Sequence, residues 1–275
     1  MTLVSDSNIV NSLRAAQSGR NFQKASATSK GAGTFLSLWK TAGLPAAGAN
    51  PPLFSAGSGY IPTKATTGAY PFTNSATNGH LALLRAGYFG VTPHTLIIYD
   101  RLWACSGFGT VITTAQTVTT PGTLTAGRDP NNGLDVEPFL EVYTAPGATA
   151  ATWTVTGTDA LGNTGVTWTY AHPASAEAIG QMVPLTPGTA SSLGMRIASS
   201  FTASATSGTA GDVGITLMRR VAEIPVLAAN LGDVQDALRL GLPPIYNDAC
   251  IALGLLCTAS PTGLLMGSIV IGEGA

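Results

Sequence analysis

Alternating apolar and polar residues mark the middle of the chain. In residues 151–156, Ala, Trp and Val occupy every second position, and threonines occupy the positions between them. Residues 166–170 repeat the pattern with Val, Trp and Tyr around two threonines. A strand with a period of two buries one face and turns the other towards water, and Thr, Val and Trp suit a pleated surface. Both segments are therefore predicted to be β-strands.

A tight turn between these strands would make a hairpin. The segment 159–163, DALGN, supplies the Gly and Asn that such a reversal needs. Folding the chain about it places Val155 opposite Val166 and Trp153 opposite Trp168. We predict this register, with both tryptophans buried on one face of an antiparallel pair.

Further segments indicate a mainly β fold. Alternation on both sides of a Gly-rich turn at 207–211 predicts a second hairpin, and the apolar run 251–256 fits either a strand or a helix. Antiparallel strands joined by Gly and Pro turns favour a β-sandwich or jelly-roll-like domain over parallel βαβ units. The other predicted strands are 95–103, 109–120, 139–143 and 264–271.

Only two short helices are predicted. The first is amphipathic, follows capping residues at Ser5–Ser7 and ends near Gly19. The second is capped by Asn230 or Asp233 and stops at Gly241. Its apolar residues are Val234, Ala237, Leu238 and Leu240.

Residues 21–78 have a different character, because Gly, Pro, Ser and Thr separate short aromatic islands. A structureless loop of that length is unusual inside a compact domain. We predict that residues 1–80 form a helix and an extended arm or irregular lobe, and that residues 81–275 form the β-rich domain. The arm would bind a partner through six aromatic residues: Phe35, Trp39, Phe54, Tyr60, Tyr70 and Phe72.

Low charge is the main feature of the composition. Charged residues make up 10% of the 275 residues, and hydrophobic residues make up 45%. Ordinary soluble domains carry roughly 25% charged residues. A surface of Thr, Ser, Ala and Gly loses little hydration when it packs against a neighbour, which favours a subunit of an assembly.

The charge and the cysteines of the chain give no indication of nucleic acid, a membrane or a metal as a partner. The net charge of −1, without a basic block, gives no attraction to nucleic acid. Neither a signal peptide nor a membrane-spanning apolar run is recognisable, so we expect a soluble protein without a membrane partner. Cys105, Cys250 and Cys257 are odd in number and lack metal-ligand spacing, and we expect them unbridged and buried.

Candidate chemistry is weak. Residues 129–135 faintly resemble a calcium loop but depart from the EF-hand pattern, and a solvated turn is the simpler interpretation. Glu137 and Glu141 could form a glycosidase-like acid pair, but nothing else in the sequence supports one. His80, His94 and His172 lie far apart, and no nucleophile or nucleotide motif is present. We expect no catalytic residue, cofactor or metal, and therefore no enzyme.

Several segments resemble structural proteins encoded in the virion gene clusters of tailed bacteriophages. The likeness covers roughly residues 95–275 and rests on motif order rather than on a catalytic signature. It is carried by four segments: Trp103–Gly122, Glu137–Val155, Ser207–Arg220 and Leu242–Cys250.

The resemblance implies a non-enzymatic particle component, assembled in the host cytoplasm and located in the virion. A head cement or decoration protein is the leading prediction, with the major capsid protein or other virion subunits as partners and self-association into a homo-oligomer. A tail, collar or head-fibre component is the alternative within phage. A carbohydrate-binding module or glycosidase is the alternative outside it, and such a protein should expose Trp153 and Trp168 beside carboxylates in a cleft.

Overall fold

A computed structural model describes most of the chain. The described residues are 20–25, 31–55, 59–73, 79–90, 93–119, 122, 124, 127–227, 230–260 and 263–272. The predicted N-terminal helix lies outside them.

The described part is mainly β, and its sheets are built from antiparallel strand pairs such as β8–β9, β7–β13 and β4–β17, whose ranges follow. The strands are β1 (Arg20–Lys24), β2 (Phe35–Ser37), β3 (Gly43–Leu44), β4 (Gly79–Gly90), β5 (His94–Gly109), β6 (Gln116–Thr117), β7 (Val136–Thr144), β8 (Ala151–Asp159), β9 (Thr164–His172), β10 (Gln181–Pro184), β11 (Thr186–Pro187), β12 (Met195–Ala203), β13 (Asp212–Val226), β14 (Leu231–Gln235), β15 (Pro244–Ile245), β16 (Ile251–Cys257) and β17 (Gly263–Gly272). The helix of the described part is α1 (Ala237–Leu240).

Three sheets organise these strands. A six-stranded sheet has the order β14-β4-β17-β1-β3, with β15 also paired with β4. A second set forms a closed barrel in the order β10-β2-β16-β5-β13-β7. The third sheet has five strands in the order β11-β9-β8-β12-β6. The predicted antiparallel β class is confirmed, whereas a sandwich or jelly roll specifically stays a prediction.

The central hairpin is present as β8 and β9, but its predicted register is wrong. Val155 lies opposite Trp168, and Trp153 lies opposite Tyr170. The turn closes between Asp159 and Asn163, and an irregularity near Gly165, where φ is 71°, adds one residue to β9. The slip is two residues, which keeps every side chain on its predicted face.

The predicted second hairpin is also wrong. β12 pairs with β8 and β6 in the five-stranded sheet, whereas β13 pairs with β7 in the barrel. Both strands alternate because each covers a core, and alternation identifies the buried face but not the neighbouring strand.

Other predicted elements are partly confirmed. The 251–256 and 264–271 runs are strands β16 and β17, while most of 109–120 is turn or irregular, with only the short β6. α1 begins after the N-cap Asp236, not after Asn230 or Asp233, and ends at the C-cap Gly241.

The chain divides into two compact units. Unit 1 comprises residues 1–49, 63–100 and 221–275, and unit 2 comprises 50–62 and 101–220. The predicted boundary at residue 80 does not coincide with this division. Each unit is built from segments that lie far apart in the sequence, so no single boundary separates the two units. Strands β5 and β13 each run from one unit into the other.

Each unit has its own apolar core. The core of unit 1 is mostly aliphatic, with Phe22, Tyr70 and Phe72 among residues of β4, β16 and β17. The core of unit 2 is richer in aromatic residues. Its large buried rings are Trp103, Phe108, Trp153, Trp168 and Phe201.

The five-stranded sheet of unit 2 has two contrasting faces. Its inner face buries Trp153, Val155, Trp168 and Phe201. Its outer face carries two transverse rows of hydroxyl side chains, which we call the hydroxyl face. The rows are Thr186, Thr169, Thr154 and Thr202, and Thr167, Thr156, Ser200 and Thr117.

Candidate interaction surfaces

Four of the six aromatic residues predicted to bind a partner are buried in unit 1. Phe35 packs against Tyr99 with ring centroids 5.6 Å apart, and it lies so close to Gly254 that a Cβ there would be 2.3 Å from the ring. Trp39 packs with Ala69 and Cys250, and its indole Nε1 donates to the Ala49 carbonyl at 2.9 Å.

Tyr70 and Phe72 complete this set. The Tyr70 hydroxyl donates to the Ile269 carbonyl at 2.9 Å, and the side chain is fully buried. The Lys64 ammonium lies 5.5 Å from the centroid of the Phe72 ring and also donates to the Asn247 amide oxygen at 2.9 Å. The four rings therefore pack inside unit 1 rather than on its surface.

Phe54 and Tyr60 belong to unit 2. Phe54 is half-buried and stacks on Phe108 with centroids 4.7 Å apart. Tyr60 forms an isolated bridge with Ala104 through two backbone hydrogen bonds of 2.8 and 2.9 Å, and its side chain remains 37% exposed. Of the six residues, Tyr60 is the one with an exposed side chain.

The predicted extended arm therefore differs from the observed structure. Residues 31–55 and 59–73 are largely irregular, but of the six predicted aromatic residues all except Tyr60 pack inside their own chain. Isolated bridges and strands of two or three residues hold them there, and elements this short leave no periodicity in the sequence.

An exposed apolar surface occurs at three neighbouring turns of unit 2. Leu134, Leu161 and Leu193 are 48%, 68% and 52% exposed. The Ala160 amide donates to the Leu193 carbonyl at 3.1 Å. Gly194 (φ 59°) lies so close to the turn that carries Leu134 that a Cβ at residue 194 would be 1.8 Å from the Gly133 carbonyl oxygen. We call these three leucines the leucine patch.

A cleft of about 530 Å³ adjoins the leucine patch through Leu134. It is lined by Pro138, Phe139 and Pro187, and Arg220 and Glu137 form an ion pair of 3.2 Å at its polar side. Trp168 also contributes, but only 1% of its surface is exposed, and Trp153 is fully buried. The exposed tryptophan platform expected of a carbohydrate-binding protein is therefore not formed by these two residues.

A second group of exposed apolar residues lies in unit 1. The group begins just before β14, the end strand of the six-stranded sheet, and extends along β14 into α1. The group comprises Leu227, Leu231, Val234 and Leu238.

Unit 2 contains a buried polar cluster around Arg101. The Arg101 guanidinium lies 2.6 Å from the Glu141 carboxylate and donates to the hydroxyls of Tyr143 and Thr216 at 3.0 and 3.2 Å. Those hydroxyls donate in turn to Glu141 Oε2 at 2.8 and 3.3 Å. Burial, and then the negative charge of Glu141, raise the pKa of Tyr143 well above its ordinary value. Arg101 and Glu141 are both fully buried, so the cluster cannot meet a substrate and serves to hold β5, β7 and β13 together.

A second buried pair is formed by His172 and Glu177. His172 Nδ1 lies 2.8 Å from Glu177 Oε2, and His172 Nε2 lies 3.1 Å from the Gly147 carbonyl oxygen. The imidazole stacks on Trp153 with centroids 4.3 Å apart, and the Tyr170 hydroxyl donates to Glu177 at 3.0 Å. These contacts fasten the segment after β9 to the inner face of its sheet.

The predicted acidic candidates are separated by the structure. Asp129 is buried, and its Oδ1 accepts from the Gly133 amide at 2.8 Å. Asp135 accepts a hydrogen bond from the Asn131 amide group. These oxygens stabilise the 129–135 turn. Glu137 is paired with Arg220 on the surface, whereas Glu141 belongs to the buried cluster.

Histidine and cysteine positions are structural. His94 is buried and its Nδ1 accepts from the Thr258 amide at 3.3 Å, and burial lowers its pKa. All three cysteines are buried and unbridged, as predicted. Within the described residues, His, Cys, Asp and Glu form no group of three that could hold a metal ion. The described part likewise contains no helix with the length and apolarity needed to cross a bilayer.

Comparison with known proteins gives only distant matches. No family model and no curated protein matches the chain. Among solved structures, the VP2 subviral particle of infectious bursal disease virus matches with 10% identity and a TM-score of 0.23, covering 94% of this chain and 82% of that one. T=1 particles derived from the same virus match with 9% identity and a TM-score of 0.21, covering 98% and 84%. This is a weak resemblance to a viral capsid protein, too low to carry an argument about function, and membership of a tailed-phage family stays a prediction.

Proposed function

We propose that this chain is a non-enzymatic structural subunit of a tailed-phage particle, and specifically a cement or decoration protein of the head. The observation that carries the proposal is the leucine patch, which presents three exposed leucines on a chain with only 10% charged residues. A group of exposed apolar side chains on neighbouring turns is a feature of contact sites between proteins. The sequence resemblance over residues 95–275 supplies the particle as the place of contact.

The contact mechanism follows from where the aromatic residues lie. A cement protein stabilises a shell by burying surface across the joints between subunits, so that pressure from inside must break additional contacts. Because five of the six predicted aromatic residues pack inside the chain, we assign the contact to side chains on the folded surface. The leucine patch is suited to it, since the Ala160–Leu193 hydrogen bond joins two of its turns and Gly194 packs closely on the third, so that the turns lose little conformational freedom on binding.

The partner in this proposal is an adjacent capsid subunit with an apolar depression. The leucines would enter it, and the cleft beside Leu134 would accept a side chain or loop from the partner in return. Anchor residues of this kind account for most of the binding energy at protein interfaces.

Co-sedimentation with particles that lack the native protein tests the proposal. The full chain should sediment with them, and the variant L161E/L193E should bind about tenfold more weakly or worse, because two carboxylates would lose water at the contact. Leu44→Glu is the matched control, since Leu44 is 53% exposed but belongs to unit 1. It should bind as the wild type does.

Two outcomes would contradict the proposal. If the full chain does not sediment with the particles, the cement function is wrong. If L161E/L193E binds as tightly as the wild type, the leucine patch is not the contact. Gold-labelled antibody against the chain, imaged on native particles, separates the head from the alternative positions on the tail, collar or head fibre.

A further inference from the structure

The hydroxyl face of unit 2 is unusual for a solvent-facing sheet surface. All eight residues of its two rows are threonine or serine, and none is charged. Thr117 and Thr186 at the two edges are exposed, and the six residues between them are partly exposed. In the part of the chain that the structure describes, these eight hydroxyls make no hydrogen bond to another protein group. A solvated sheet face usually carries Lys and Glu among its polar residues.

The edges of the same sheet are closed to strand addition. β11 and β6 are only two residues long, and β11 ends at Pro187, which has no amide to donate. Short edge strands and edge prolines prevent the pairing of one sheet with another edge to edge. The outer face is therefore better suited than the two edges to association of this sheet with another copy.

We propose that the hydroxyl face is a self-association surface, on which two copies of the chain pack face to face about a two-fold axis. A hydroxyl both donates and accepts, so two identical hydroxyl faces can satisfy each other, which two faces of lysine or of glutamate cannot do. The absence of charge removes like-charge repulsion between identical faces. Threonine also loses less side-chain entropy on burial than Lys or Glu does.

The size of the face sets the strength of the contact. The whole sheet has three strands of nine residues and two strands of two residues. With strands about 4.8 Å apart and a rise of about 3.3 Å per residue, its outer face covers roughly 500 Å², and the hydroxyl face is the central half of it. Two copies packed over the whole outer face would bury about 1,000 Å² in total, which is at the lower limit for a specific interface. The dimer is therefore weak in dilute solution and becomes populated at the high local concentration of an assembly.

The inference concerns the isolated chain and does not depend on the particle, so its test needs no capsid. Sedimentation equilibrium of the full chain over a wide range of concentrations should show a reversible monomer–dimer equilibrium. Thr156→Lys places a charge in the centre of the face and should raise the dissociation constant about tenfold or more. Thr67→Lys adds the same charge at an exposed position in unit 1 and should leave the dissociation constant unchanged.

A charge-swap experiment makes the result specific. Mixing Thr156→Lys with Thr156→Glu should restore a dimer that neither variant forms alone, because opposite charges then meet across the two-fold axis. A wild-type chain that stays monomeric up to about 1 mM would overturn the inference. So would a dimer that Thr156→Lys leaves unaffected, since association would then use another surface.

Discussion

Unit 1 and unit 2 each bury a cation, Lys24 and Arg101, and the two cations are satisfied in different ways. In unit 1, the buried Lys24 ammonium donates to the carbonyls of Thr41 and Pro45 at 3.1 and 2.7 Å, and Asp100 accepts from the Cys250 amide at 2.9 Å. In unit 2, the buried Arg101 meets the carboxylate of Glu141. Backbone carbonyls therefore satisfy Lys24, whereas a carboxylate pairs with Arg101. Unit 2 also binds a buried cation with carbonyls, because Arg128 donates to those of Pro62 and Arg101 at 2.6 and 2.9 Å, so the contrast is between Lys24 and the Arg101–Glu141 pair.

This difference predicts how each unit responds to substitution. Backbone carbonyls satisfy an ammonium group but do not neutralise it, so unit 1 retains a cost of desolvation that depends on pH. A side-chain pair neutralises itself, but removal of one member leaves the other charged and buried. Single substitutions in the polar core of unit 2 should therefore be the more damaging, and hydrogen exchange measured on separate peptides can follow the two units independently.

The largest expected effect is that of Glu141→Gln. The substitution keeps the size of the side chain but leaves the buried Arg101 charge without its counter-ion, which costs about 3–5 kcal/mol. Exchange of the amides in β7 and β13 should accelerate accordingly, while those in β1 and β17 should change much less. Equal acceleration in both units would show that they unfold together and would remove the basis of the comparison.

The sequence predicts which face of each strand is buried, but it does not predict which strands pair. The threonines and tryptophans of β8 and β9 lie on the predicted faces, because alternation follows directly from the pleat. The register depends on the irregularity near Gly165, and the partner of β12 depends on residues about forty positions away. Neither is encoded in local periodicity.

The same limit applies to the candidate surfaces. Asp100 and Arg101 stand in a largely apolar run, and a charge in a buried strand is itself a signal that it must be paired. The sequence alone groups Glu141, the partner of Arg101, with the nearby carboxylate Glu137 instead. The leucine patch joins three turns that are distant along the chain, and no pattern in the sequence brings them together.

Lys24 provides the next largest effect, one that depends on pH. Burial lowers the pKa of Lys24 from 10.5 to about 8. Between these values the unfolded chain binds more protons than the folded chain, so stability rises with pH, by on the order of 2–3 kcal/mol. Below pH 8 both states are protonated, and the contribution of Lys24 is constant.

Urea unfolding of the wild type and of Lys24→Met, at intervals from pH 7 to pH 10, isolates this term. Titration of tyrosines and cysteines occurs in both proteins and cancels in the difference. The stability of the wild type relative to the variant should increase with pH above 8. A difference that stays constant across the range would mean that Lys24 is not desolvated, and that unit 1 carries no such cost.

A matched pair of tyrosine substitutions compares the two units with the same chemical change. Tyr143→Phe removes a hydroxyl that contacts Arg101 and Glu141, and hydrogen bonds to charged groups contribute about 1.5–3 kcal/mol. Tyr70→Phe removes a hydroxyl bonded to one backbone carbonyl, which contributes about 1 kcal/mol. The free energy of unfolding, measured with urea, should fall more for Tyr143→Phe. A larger loss for Tyr70→Phe would reverse the assignment of the more sensitive polar core to unit 2.

The smallest loss of stability is expected at the surface ion pair of unit 2. This prediction tests whether burial, rather than charge alone, makes Glu141 sensitive to substitution. Arg220 and Glu137 lie 3.2 Å apart, and their side chains are 46% and 38% exposed. Water and salt screen such a pair, so Glu137→Gln should cost only about 0–1 kcal/mol, and less as salt is added. Glu137→Gln is thus the control for Glu141→Gln, with the same change of atoms in the same strand. If both substitutions destabilised unit 2 equally, the loss of a negative charge anywhere in β7 would explain the result. The contrast between Lys24 and Arg101 could then not be attributed to how each buried charge is satisfied.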